Sequence, residues 1–234
     1  MFDKRFVQSI MDKNNQKKII IPYLQTLIFF QKQLAGKTCL MGLGAGSAVP
    51  HLRNNMHQLF IVEIMPDMIE IAEKFFYFHP DELIQLHCSC ANQFITKTTE
   101  SFQHIIIDLG DNLGFPSSCR GKDFFEAVYQ RLEVGGILAL NLTTLHEVPY
   151  FTQTLKEVFR QQPLIIEQQG NWLLFTIKDI HSDYLIEVMR NHHYLKSLVW
   201  YPQYGMVGTI EKHFIQSYKL FLTKMKKALQ ALII

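Results

Sequence analysis

Gly42-Leu43-Gly44-Ala45-Gly46 sets three glycines at alternate positions directly after a short apolar run. Glycine lets a backbone turn sharply and lets it approach a ligand that a Cβ would exclude. The start of a helix just beyond such a turn favours an anionic group. Alone, a glycine turn serves at any junction between a strand and a helix. It gains meaning from Glu63, which ends the next apolar run. A carboxylate at that place can accept two hydrogen bonds from ribose hydroxyls, whereas a surface Glu ahead of a turn would do nothing. Together the two features describe a nucleoside pocket. Ser47 stands where a dinucleotide fingerprint has its third glycine, which turns the reading toward S-adenosylmethionine and away from NAD.

A third group of residues is Asp108-Leu-Gly-Asp111-Asn-Leu-Gly114-Phe-Pro116. Two carboxylates at the end of a strand suit a cationic amine. An amine with a pKa of about 10 carries little neutral form at physiological pH and must lose a proton before it attacks a sulfonium carbon. A carboxylate can bind the ammonium, orient it and take that proton. On this segment alone, two aspartates in a solvated loop compete evenly with that reading. His87-Cys88-Ser89-Cys90 has no second ligand pair at zinc spacing, so Cys39, Cys88, Cys90 and Cys119 are expected to be reduced thiols with no metal.

These residues need elements to hold them. Apolar runs predict strands at 38–41, 59–62, 83–88, 104–107 and 137–142, with two more at 164–167 and 172–177 around the turn at Gln168-Gln169-Gly170-Asn171. Helical spacing predicts helices at 19–33 (closed by Gly36), 47–54, 67–76, 91–98, 124–132 and 151–159, with Gly135-Gly136 as a turn. Strand and helix alternate five times, and the strands are continuously apolar. That means a parallel sheet covered on both faces. The closing pair adds an antiparallel edge strand. The fold class is therefore α/β, of the class I methyltransferase-like, Rossmann-like kind. Residues 1–178 form this domain. Residues 179–234 are expected to be a helical extension, with helices at 181–190 and 210–229 around the loop Trp200-Tyr-Pro-Gln-Tyr-Gly205.

The chain has 234 residues, 48% hydrophobic and 19% charged, with a formal charge of +2. That suffices for one α/β core plus an appendage. A balance so near neutral gives no electrostatic footprint for nucleic acid. No apolar run reaches membrane-spanning length, so the expected location is the cytoplasm. The apolar stripe of the last helix fits docking onto its own domain, with a homodimer or a membrane-surface element as the sharper reading.

Taken together, these segments resemble the spermidine synthase (polyamine aminopropyltransferase) family. The likeness runs from Tyr23-Leu-Gln-Thr-Leu-Ile-Phe-Phe through Leu40-Met-Gly-Leu-Gly-Ala-Gly-Ser and Ile61-Val-Glu-Ile-Met-Pro. It continues in Asp108-Leu-Gly-Asp111 with Gly114-Phe-Pro116, then Phe124-Phe-Glu and Leu132-Glu-Val-Gly-Gly-Ile-Leu. The resemblance implies Asp108 as general base and Asp111 as a contact for the acceptor amine. It implies Gly42, Leu43, Gly44, Gly46, Glu63, Ile64, Cys90 and Ala91 as the nucleoside site, Glu63 holding the ribose of decarboxylated S-adenosylmethionine. The implied reaction moves an aminopropyl group onto putrescine or a similar small-molecule amine and releases methylthioadenosine. Ala45, Met65 and Cys90-Ala91 stand where the family carries an Asp, an acid and Asp-Gly, and only about twenty polar residues precede the first helix where the family has a β-domain. An S-adenosylmethionine-dependent methyltransferase and a catalytically silent binding descendant of the fold are the alternatives.

Overall fold

The computed structural model describes residues 10, 12, 14–15, 18–53, 58–110, 114–168, 170–191, 198–201 and 206–209, the last two segments as backbone. Every residue of β1 (Thr38–Met41) and β2 (Leu59–Glu63) is buried. Along these strands Cys39, Met41, Phe60 and Val62 belong to one core layer, while Leu40, Leu59 and Ile61 belong to the other. Both faces of the sheet are thus covered, which is why the strands read as unbroken apolar runs.

The first layer packs α5 (Ala91–Lys97), α6 (Lys122–Arg131) and α7 (Val148–Phe159) through Phe94, Phe125 and Phe151. The second packs α1 (Pro22–Leu27), α2 (Phe29–Gln33), α3 (Val49–Leu52), α4 (Pro66–Phe75) and α8 (Asp183–Asn191) through Leu27, Phe30, Val49, Ala72 and Leu185. Burying each such phenylalanine contributes about 1.5–3 kcal/mol.

The remaining strands are β3 (Ile84–Cys88), β4 (Phe102–Ile107), β5 (Leu132–Leu142), β6 (Leu164–Gln168), β7 (Asn171–Ile177), β8 (Leu198–Tyr201) and β9 (Met206–Thr209). Their order in the sheet is β3-β2-β1-β4-β5-β7-β6-β9-β8. β1 pairs in parallel with both β2 and β4. The chain runs outward from β1 to β3 and returns on the other side of β1 as β4. Loops leaving the carboxyl ends of β1 and β4 therefore diverge and open a crevice, the usual ligand position in such sheets. β7 is inserted antiparallel between β5 and β6.

Several elements depart from the sequence expectation. The helix expected over 19–33 starts at Pro22 and breaks at Ile28, whose ψ of 10° leaves the helical region. Leu27, Ile28, Phe29 and Phe30 are all buried across this break. Gly36 does not close this helix. Its Cβ would fall 2.2 Å from the Gln103 Cβ, so it is small because β4 passes there. The helix expected over 47–54 is a single turn, and Asn54 lies outside the described residues.

Gly135-Gly136 is not a turn ahead of the strand either. Both sit inside β5 as a bulge, between the pairings Phe102↔Leu132 and His104↔Ile137. Trp200 and Tyr201, expected in a loop between helices, lie in β8. β9 extends the sheet parallel to β6, and β8 pairs antiparallel to β9 at the edge. Leu198-Val-Trp-Tyr is apolar, β-branched and aromatic, the composition that a pleated surface favours. The expected helix over 210–229 lies outside the described residues. Among the described residues, no helix is long and apolar enough to cross a membrane.

Candidate active site

The glycine turn leaves β1 at the crevice. Gly42 has φ +96°, and a Cβ there would lie 2.2 Å from the Asp108 carbonyl oxygen at the end of β4. Two independent demands therefore fix glycine at this position: a left-handed backbone and direct contact between two strand ends. Gly44 and Gly46 also have positive φ, +51° and +77°. Gly42→Ala is expected to lower stability by about 2–4 kcal/mol, combining left-handed strain with overpacking. Urea unfolding against Gly110→Ala, where a Cβ meets nothing within 4 Å, checks this, and equal midpoints for the two variants would overturn it.

Glu63 ends β2 with 8% of its surface exposed. Its Oε2 accepts the Leu43 N–H at 2.9 Å and its Oε1 accepts the Met65 N–H at 2.9 Å. The carboxylate thus braces the glycine turn from the neighbouring strand. Each oxygen retains a lone pair for a further donor. Ile64 and Met65 beyond it are exposed. In the next strand outward, Glu63 pairs with Cys88 in register, and the Ser89 N–H bonds to the Glu63 carbonyl at 3.0 Å. Cys90, half-buried, precedes α5, and Ala91 is buried at its first position. Gly42, Leu43, Glu63, Asp108 and Cys90-Ala91 accordingly line the carboxyl ends of four adjacent strands, β3-β2-β1-β4.

Asp108 is half-buried and gripped from two sides. Asn141 Nδ2 donates to its Oδ1 at 2.8 Å, and the Tyr23 hydroxyl donates to its Oδ2 at 3.1 Å. Burial pushes the carboxyl above its ordinary value of 3.8, opposed by the hydrogen bonds from Asn141 and Tyr23. Burial and the neighbouring Asp108 both raise the Tyr23 phenol, so it remains protonated as a donor. Asn141 is buried, and its Oδ1 has no hydrogen-bond partner among the described residues. An acceptor without a partner beside a carboxylate of raised basicity is suited to an N–H donor arriving from solvent. Asp111 lies outside the described residues, so the second carboxylate of the pair has no assigned position.

The segment resumes at Gly114, whose φ is +111° and whose Cβ would press on the Glu147 carboxylate at 3.1 Å. Glu147 is 1% exposed and accepts three donors: Arg120 Nη1 at 2.5 Å, Thr144 Oγ1 at 2.5 Å and the Phe115 N–H at 3.3 Å. The Arg120 guanidinium in turn lies over the Tyr150 and Phe151 rings, 5.7 and 5.6 Å from their centroids. The far end of the acidic segment is thereby tied to the start of α7.

Sequence reasoning missed Asn141 and Glu147 and gave Tyr23 no role. Only Glu147 left a local trace, the Thr144-x-x-Glu147 spacing ahead of an apolar run that marks a helix start.

A mostly parallel, doubly covered sheet with a glycine turn after its first strand, an acid ending its second and an aspartate ending its fourth defines a class I methyltransferase-like α/β protein. The comparison with protein families is more specific. The spermine/spermidine synthase domain matches residues 44–168, more than half of the sequence, and the chain belongs to that family. The polyamine aminopropyltransferase of Vibrio vulnificus is 28% identical over 174 residues, covering 69% of this chain and 57% of the relative. The chain thus spans little more than half of that relative's length. Among solved structures, spermidine synthase from Thermotoga maritima superimposes with a TM-score of 0.60 at 17% identity, over 77% of this chain and 68% of that one. Human methyltransferase-like protein 13 in complex with SAH gives 0.58 at 20% identity, over 70% and 83%. These two likenesses are of fold.

Proposed function

We propose that this chain is an aminopropyltransferase that moves the aminopropyl group of decarboxylated S-adenosylmethionine onto a small-molecule amine such as putrescine. The observation that carries the reading is Asp108, a strand-end carboxylate of raised basicity held between Tyr23 and Asn141 in the crevice. The amine nitrogen attacks the carbon attached to the sulfonium. A C–N bond forms, the C–S bond breaks, and its electron pair stays on sulfur in methylthioadenosine. The proton lost by nitrogen goes to Asp108. Asp111 contacts the acceptor amine. Gly42, Leu43, Gly44 and Gly46 carry the donor along the turn, Glu63 takes its ribose hydroxyls, and Ile64 with Cys90-Ala91 flanks its adenine.

A base must be ionised to act, so kcat/KM should rise with pH through the Asp108 pKa. Because burial raises that pKa, the acidic limb should lie above the ordinary carboxylate range near 3.8. Tyr23→Phe removes a donor to the ionised form and should move the limb further up. A pH–rate profile of the two proteins checks this, and a limb that stays in place or moves down would remove Tyr23 from the site.

A methyltransferase is favoured by one observation. Ala45 is buried in the glycine turn at a place that offers no acid to a cationic donor tail, and the carboxylate of intact S-adenosylmethionine would meet no repulsion there. Calorimetric titration with decarboxylated and intact S-adenosylmethionine decides. Tighter binding of the decarboxylated form is expected. The reverse preference transfers the assignment to methyl transfer, and heat from neither leaves a binding descendant of the fold.

A further inference from the structure

Cys90 and Cys119 come from segments 29 residues apart and meet at one hydroxyl. The Ser118 Oγ lies 3.7 Å from the Cys90 sulfur and 3.7 Å from the Cys119 sulfur, so the sulfurs are separated by no more than twice that distance. Their exposure differs in a useful way. Cys90 is half-buried and open to solvent, while Cys119 is 1% exposed and sits behind it. Cys119 ends a three-residue 3-10 turn whose other members, Ser117 and Ser118, are exposed. A disulfide needs the sulfurs at about 2.05 Å, so that surface turn would have to move to close the bond.

The environments assign different roles to the two thiols. Partial burial opposes ionisation of Cys90. The Gln93 N–H, the Ser118 hydroxyl and the Asn92 N–H outweigh it and hold the thiol below its ordinary range. Burial pushes Cys119 up. A thiolate that solvent can reach is the group that attacks peroxides, and a buried neutral thiol beside it is placed to resolve the product. Cys39 is buried in the core with its thiol raised by burial, so it takes no part.

We propose that Cys90 and Cys119 form a reversible oxidation site that takes hydroperoxides and closes to a disulfide. In the first step the Cys90 thiolate attacks the O–O bond of hydrogen peroxide, giving sulfenic acid and hydroxide, which takes up a proton. In the second, the Cys119 sulfur displaces that hydroxyl, giving the disulfide and water. Two thiols lose two electrons and two hydrogens, and one peroxide becomes two waters. A dithiol such as dithiothreitol reverses the change. The bond would tie the turn at Ser117–Cys119 to the start of α5, beside the nucleoside site proposed above. Formation of the bond does not depend on that assignment.

The test is peroxide treatment of the full chain, followed by alkylation of remaining thiols and peptide mass mapping. The expected result is a cross-linked peptide pair lighter by two hydrogens that joins Cys90 to Cys119, lost on treatment with dithiothreitol. In Cys119→Ser, dimedone should instead trap sulfenic acid at Cys90. In Cys90→Ser, Cys119 should remain alkylatable after the same treatment. Full alkylation of Cys90 and Cys119 after peroxide, or a link between Cys88 and Cys90 in their place, overturns the proposal. Because Cys90 lies at the surface, its serine variant keeps the test decisive even if Cys119→Ser fails to fold.

Discussion

Asp108→Asn is expected to lower turnover about 10²- to 10⁴-fold while leaving the binding of methylthioadenosine nearly unchanged. Asparagine matches the shape of aspartate and can still accept the Tyr23 hydroxyl, but it cannot take the proton of the attacking amine. The Asn141 amide would then face either a carbonyl or a second amide, and rotation of either side chain satisfies the pair. Fold and pocket should therefore survive. Steady-state kinetics beside calorimetric titration separates the effects. If binding falls as far as turnover, Asp108 belongs to the nucleoside pocket. If turnover is unchanged, it has no part in the chemistry.

The second large effect is expected on stability. Glu147→Ala removes the acceptor for Arg120, Thr144 and the Phe115 N–H together. Deleting one partner of a buried ion pair costs about 3–5 kcal/mol. Arg120 keeps 37% of its side-chain surface in contact with solvent, so its stranded charge remains partly hydrated. The loss is therefore set at about 2–3 kcal/mol, or on the order of 5–10 °C in melting temperature for a chain of this size. Glu147→Gln, which retains one acceptor oxygen, should lose less. Calorimetric melts of the three proteins read this directly, and an alanine variant as stable as the parent would mean that the Gly114–Pro116 segment is held by packing alone.

The strands were legible because burial on both faces wrote itself as unbroken runs such as Leu59-Phe-Ile-Val, and the glycine turn because three left-handed residues demand glycine. Gly36 and Gly135 were misread for one reason. A glycine records that space or a left-handed backbone is needed, but not which neighbour needs it, and here the neighbours are Gln103 on another strand and a bulge within β5. The site was legible in its acids and not in their partners. Tyr23 and Asn141 reach Asp108 across 85 and 33 residues, and no local pattern encodes contacts at that range. β8 and β9 escaped because four-residue strands resemble an apolar loop, β9 docks on the distant β6, and helical spacing further on outweighed them.

The contact between Gly42 and the Asp108 backbone bears on how this site could be rebuilt. The turn that would cradle the donor and the strand end that would carry the base touch with no side chain between them, so neither can be treated as an interchangeable part. Grafting a longer or bulkier turn from another protein would displace the end of β4 and turn the carboxylate away from its crevice, even with Asp108 itself unaltered. A redesign aimed at a different donor therefore has to carry both strand ends across as one piece.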